Sequence, residues 1–317
     1  MKRAVVFIAK YLVYLVLIVC ISFFLPRLLP GSPLSVLDES TLSQNMGATS
    51  QAFQEYYAPD RPLGEQFVRD LEQLSQGGLG YSLTAKRPVT QMIGQSIGWS
   101  LLLAGCSLLL GIPLGIWLGV RWGMRTNRRP LRAVSMVVIQ GIPIVLLATV
   151  AQLLLCYQLQ IFPKRGAYCV GMTPDSPGYW LDVLAHMALP LLIMVATEIP
   201  GMAIFAYNST MRMKKEQFVQ MANYLCIPPK QVRRRYILPN ILPELLGKLS
   251  IQCVTALAGT LFVESVFAYP GIGLLLRTAT GNRDYTLMQG ILLVVCLAGL
   301  VVNGVFDLLI RRNAQRY

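Results

Sequence analysis

Few side chains in this sequence could do chemistry, and they sit where chemistry is costly. Glu198 lies near the middle of a long apolar run, two residues before Pro200-Gly201. A carboxylate at that depth must be paired, protonated or turned toward water. It reads either as part of a transport path or gate, or as a structural carboxylate hydrogen-bonded where Pro200 frees a backbone carbonyl. Glu264 lies roughly 24 Å along its helix from Lys248, at about 1.5 Å per residue. That places it near the outer surface, where it can order the Tyr269-Pro270-Gly271 turn. Asp307 precedes Arg311 by one helical turn, the spacing of an i,i+4 pair. His186 is the single histidine. It falls at an outer helix end and reads as structural.

The seven cysteines are scattered. Cys20, Cys106, Cys156, Cys253 and Cys296 lie inside apolar runs, where cysteine behaves as a small hydrophobe. Cys169 is alone in an outer loop, so no disulfide framework is implied. No pair has metal-ligand spacing, so no metal site is expected. No G-x-x-x-x-G-K-[ST] phosphate loop occurs anywhere, so the chain has no recognisable means of hydrolysing ATP. A catalytic constellation is absent, and a non-catalytic protein is expected.

The elements that position these residues are set by hydrophobicity. Of 317 residues, 54% are hydrophobic and 14% charged, against about 45–50% and about 25% in soluble domains. Six apolar runs approach or exceed the roughly 20 residues that span a bilayer. They lie near Val5–Leu25, Ile97–Val120, Val134–Tyr157, Val183–Tyr207, Leu245–Val266 and Leu287–Ile310. Phe23-Phe24-Leu25-Pro26-Arg27 offers no small-x-small cleavage site, so the first run reads as a retained helix rather than a signal sequence. Gly111, Gly115 and Gly119 form a ridge that lets helices approach closely in lipid.

The net charge of +13 is asymmetric. Lys2, Arg3, Arg121, Arg125, Arg128, Arg129 and Arg132 fall on one side, with Lys214, Lys215, Arg233, Arg234, Arg235, Arg311 and Arg312. The first opposite loop carries Asp38, Glu39, Glu55, Asp60, Glu65, Asp70 and Glu72. The positive-inside rule then places both termini in the cytoplasm. The expected organisation is an N-terminal tail and helix over 1–29, a small extracytoplasmic lobe over 30–95, a five-helix core over 96–310 and a cytoplasmic tail over 311–317. Within the lobe, 64–76 has weak helical character.

A basic, polar insert over 212–245 interrupts the core on the cytoplasmic side. Phe218, Met221, Ala222 and Leu225 form the i, i+3, i+4, i+7 stripe of an amphipathic helix. Glu216, Gln217, Gln220 and Asn223 form its other face. Pro228-Pro229 breaks that helix, and Lys230 to Leu238 can form a second. Such an element suggests a docking site for a soluble partner. Met221–Tyr236 could also pass for a helix-turn-helix, but the flanking membrane runs would drive duplex DNA into the bilayer, so no nucleic acid is expected.

Several short motifs, in order, resemble the permease subunits of binding-protein-dependent ABC importers, in the dipeptide/oligopeptide/nickel branch. Arg27-Leu28-Leu29-Pro30-Gly31-Ser32-Pro33 looks like the first outer-loop signature. Gly80-Tyr81-Ser82 with Arg87-Pro88-Val89 looks like the lead into the second helix. Tyr269-Pro270-Gly271-Ile272-Gly273 and Asn282-Arg283-Asp284-Tyr285 look like the last outer loop. The insert resembles the ATPase-coupling EAA loop. Glu216 matches its acidic start, Phe218 its aromatic position and Ala222 its central alanine. Tyr224 stands at a usual alanine and Cys226 at the usual turning glycine, where Pro228-Pro229 could supply the turn instead.

The resemblance implies an all-α membrane protein of six transmembrane helices, with the type I ABC importer permease fold. It implies a bacterial inner-membrane location, a second similar permease, two cytoplasmic ATPases carrying ATP and Mg, and an extracytoplasmic solute-binding protein. It implies no cofactor in this chain. Glu216, Phe218, Met221, Ala222, Leu225 and Cys226 would form the ATPase-coupling site, and Glu198 is the candidate path residue. The expected cargo is a peptide, with nickel or a metal chelate as the alternative. A reading of another class is an ion-coupled transporter or channel, but Glu198, Glu264 and Asp307 fall at different depths and no inverted repeat is visible.

Overall fold

The computed structural model describes residues 2–28, 62–82, 84–125 and 130–314. In chain order these are α1 (Lys2–Arg27), α2 (Leu63–Ser75), a two-residue hairpin of β1 (Tyr81–Ser82) and β2 (Arg87–Pro88), α3 (Val89–Met124), α4 (Pro130–Gln140), α5 (Ile144–Gln158), α6 (Tyr179–Met213), α7 (Gln217–Tyr224), α8 (Pro229–Phe267), α9 (Ile272–Gly281) and α10 (Tyr285–Ala314). Among the described residues, five helices (α1, α3, α6, α8 and α10) are long and apolar enough to cross a bilayer.

Three expectations change. The third apolar run is two helices rather than one, because Gly141-Ile142-Pro143 breaks it. Pro143 has no N–H to give and disfavours helical geometry in the residue before it. The resulting α5 is a short apolar helix whose last seven residues, Gln152–Gln158, are π-wound. A separate second helix in the basic insert is also absent. Pro229 opens α8 at its first turn, where proline is tolerated, and α8 runs on through a π-wound stretch at Val232–Ile237 to Phe267. Finally, α3 begins at Val89 rather than Ile97, inside the segment assigned to the outer lobe. Helix α2 matches the expected helical stretch. Most of the first outer-loop signature and much of the lobe lie outside the described residues.

The chain divides into two units, 1–100 with 270–300, and 101–269 with 301–317. In the first, Arg27 at the end of α1 stacks on Phe23 at 3.6 Å and donates to Gln289 Oε1 at 2.8 Å. Gln289 in turn donates to Asp70 of α2 at 2.7 Å. Burial pushes the Asp70 carboxyl above its ordinary range, against the opposing pull of this hydrogen bond and of Arg27. Two of the signature segments meet here. Asp284, almost fully buried, accepts from Ser82 Oγ at 2.5 Å and Thr84 Oγ1 at 2.8 Å, and caps α10 through the Leu287 N–H. A methyl on Gly80 would lie 2.5 Å from Thr286 Cγ2, so the hairpin approaches α10 closely at that glycine.

In the second unit the glycine ridge packs α3 against α6. A methyl on Gly115 would meet Met202 Cβ at 2.7 Å, and one on Gly119 would collide with the Ala203 carbonyl. Gly123 extends the ridge by a further turn, 2.7 Å from Thr210 on the same test. The sequence shows that residue at the right spacing, beyond the end of the apolar run.

Candidate functional site

Two features of the second unit bear on function. The first is a cleft of about 330 Å³ between α4, α5, α6 and α8. Its polar lining is Gln140, Thr197, Glu198, Lys248, Gln252 and Thr255. Three of these project from α8 at helical spacing, so one face of α8 is polar over two turns within an otherwise apolar span. Gly201 keeps that part of the cleft open: a side chain there would stand 3.6 Å from Gln140 Nε2 and Gln252 Oε1.

Glu198 is 3% exposed. Its Oε1 accepts from Ser107 Oγ at 2.8 Å. Its Oε2 has no hydrogen-bond partner among the described residues and rests against Gly111, where a methyl would approach it to 2.5 Å. The first glycine of the ridge is therefore the space that Glu198 occupies. Ser107 and Gly111, one turn apart on α3, hold the carboxyl from one side, while the cleft lies on another.

The second feature is the basic insert. Helix α7 is fixed to the body by Val219 and Ala222, 0% and 2% exposed, which join Val232, Ile237 and Ile241 of α8 with Val120 of α3 and Met202 and Ala206 of α6. Polar ties reinforce the anchor. Lys214 Nζ donates to the Gly123 carbonyl at 3.2 Å, at the C-terminal end of α3 where a cation is favoured. Glu244 of α8 pairs with Arg212 and accepts from Ser209 Oγ at 2.8 Å, tying the end of α6 to α8.

The predicted apolar stripe is thus divided. Ala222 points inward with Val219. Phe218, Met221, Tyr224 and Leu225 point outward, 44%, 59%, 81% and 68% exposed. Glu216 is exposed at the N-cap of α7. The expectation that Ala222 shares a partner-facing surface with Phe218 and Met221 is corrected: its contacts are with this chain's own core. Val219 and Tyr224 were missed, because a stripe drawn by period alone does not say which of its edges the body covers.

Cys226 has φ +54°, the left-handed conformation that glycine adopts without penalty. The Ile227 N–H bonds to the Ala222 carbonyl and the Cys226 N–H to that of Asn223, the pairing of a Schellman C-cap. Cys226 therefore makes the turn itself, and Pro228-Pro229 instead starts α8.

A profile for the family described as "Binding-protein-dependent transport system inner membrane component" matches residues 111–317. The chain belongs to this family. It is 27% identical over 308 residues to the di/tripeptide transport system permease protein DppB of Pseudomonas aeruginosa, covering 91% of this chain and 90% of that one. It is 27% identical over 310 residues to the glutathione transport system permease protein GsiC of Pectobacterium atrosepticum, covering 97% and 94%. A chain of the MetNI methionine ABC transporter, solved in inward-facing conformations, superposes with a TM-score of 0.54 at 15% identity, covering 70% of this chain and 96% of that one. The fold is that of a type I ABC importer permease, and the protein is a multi-pass component of the inner membrane.

Proposed function

We propose that this chain is the permease subunit of an ABC importer for peptides, forming half of the translocation path. A second, similar permease supplies the other half. Two cytoplasmic ATPases bind ATP and Mg and power the cycle, and an extracytoplasmic binding protein delivers the peptide. Both termini and α7 are cytoplasmic, in keeping with the basic charge of their flanks. The observation that carries this reading is α7: a short helix anchored by Val219 and Ala222 that projects Phe218, Met221, Tyr224 and Leu225 outward. An apolar helix face fits a groove on a partner, and an element packed this firmly into the bundle can transmit a push as a rigid lever. The cleft beside Glu198 is the part of the path that meets the cargo. The di/tripeptide and glutathione relatives support peptide cargo and lend no support to nickel.

The test is uptake of a labelled dipeptide by vesicles holding the reconstituted complex. Uptake is expected with ATP inside the ATPase-facing compartment and the binding protein outside. Uptake driven by an ion gradient without ATP, or uptake of free nickel in place of peptide, would contradict the proposal.

A further inference from the structure

Cys169, Asp182 and His186 lie apart in the sequence but together in the second unit, with their donor atoms all within 4.8 Å of one another. Asp182 and His186 share the first turns of α6 at the i,i+4 spacing that puts two ligands on one helix face. Cys169 comes from the loop before it. The loop is held in place: Gly166 N–H bonds to the Phe267 carbonyl at 3.0 Å, and Tyr168 packs on Tyr179 with ring centroids 5.4 Å apart. The Cys169 N–H donates to Asp182 Oδ2 at 2.6 Å. That leaves Asp182 Oδ1 facing Cys169 Sγ at 3.3 Å and His186 Nδ1 at 3.4 Å.

The two separations at Asp182 Oδ1 match two edges of a tetrahedral site. Zinc bonds of about 2.3 Å to sulfur and about 2.0–2.1 Å to nitrogen and oxygen imply ligand-to-ligand distances of roughly 3.3–3.5 Å. A thiol, an imidazole and a carboxylate are also the donor set that favours a borderline-soft divalent cation over magnesium or calcium. We propose that Cys169, Asp182 and His186 form a site for such a cation, zinc foremost, with a fourth position open to solvent. The ion joins the loop over 159–178 to the start of α6, independently of the cleft and of α7. On binding, the cation replaces the Cys169 thiol proton, which leaves to solvent. The His186 ring, whose Nδ1 otherwise donates to the Asp182 carbonyl at 2.9 Å, moves its proton to Nε2 and offers Nδ1 to the metal. One proton is released per ion, and thiolate plus carboxylate neutralise the two charges. The same three residues do not make a nucleophile. The thiol hydrogen-bonds to a carboxylate rather than to the imidazole, which holds it above its ordinary range.

The test uses the purified, chelator-stripped complex titrated with Co²⁺ and Zn²⁺. Wild type should show a near-ultraviolet thiolate-to-cobalt charge-transfer band, lost on adding zinc, and release one proton per zinc bound. Cys169→Ser changes one exposed atom, so folding is not at issue. It should abolish the band, remove one cobalt per copy of this chain and weaken zinc binding by more than the roughly 10- to 100-fold that even outer-shell partners command. His186→Gln should weaken zinc binding comparably. No charge-transfer band in wild type, or equal zinc affinity and stoichiometry in Cys169→Ser, would overturn the proposal. Neither result bears on peptide uptake.

Discussion

Glu198 combines the costs and uses of a carboxylate inside a membrane protein. Ser107 satisfies one oxygen, Gly111 makes room for the other, and a polar cleft lies alongside. Glu198→Gln keeps the volume and a carbonyl for Ser107 while removing the ionisable carboxyl. Peptide uptake should fall while the complex still assembles, because glutamine neither ionises nor gives up a carboxyl proton. Uptake equal to wild type would remove the ionisable carboxyl from the mechanism. Cys226 offers a cleaner residue-level test, since only its backbone is strained. Cys226→Gly should raise the stability of the isolated chain by about 1 kcal/mol, read as a higher unfolding midpoint in detergent, with uptake unchanged. The sequence already pointed to this position, because the resemblance puts glycine there. It gave no sign of the cleft, whose lining comes from three separate apolar runs and meets only in the fold.

At the scale of elements, run length and hydrophobicity located each long apolar helix among the described residues but misjudged the third run. Its Gly141-Ile142-Pro143 break is plain in the sequence, yet the apolar stretch on both sides is long enough to hide it. The amphipathic period of α7 was also legible, whereas its orientation was not. Val219 falls one residue beside the expected stripe, and only the packing of α8 and α6 decides that this edge is inside. Likewise, the order of the signature segments was readable, but not that Ser82 and Thr84 would reach Asp284. The glycine ridge gives the sharpest test of element packing. Gly119→Val adds a branched side chain whose first carbon alone would collide with the Ala203 carbonyl. Overpacking of this kind typically costs about 1–3 kcal/mol, and backbone cannot yield as a side chain would. The variant should lower the yield of assembled complex and its thermal midpoint. An unchanged midpoint would show that α3 and α6 do not pack along this ridge.

For the whole molecule, the central claim is that energy made on other chains enters through α7. The chain lacks a phosphate loop, and the apolar face that α7 projects is carried on residues locked into the bundle. Ala222→Asp would not test this fairly, because it disrupts the chain's own core. Met221→Glu with Leu225→Glu would, since both side chains are mostly exposed and neither supports the fold. The most direct measurement is peptide- and binding-protein-stimulated ATP hydrolysis by the purified complex, alongside the amount of ATPase that co-purifies. The double variant should lose stimulation, ATPase association or both, while its helical content and thermal midpoint in detergent match wild type. Full stimulation with normal ATPase stoichiometry would show that α7 is not where the energy enters.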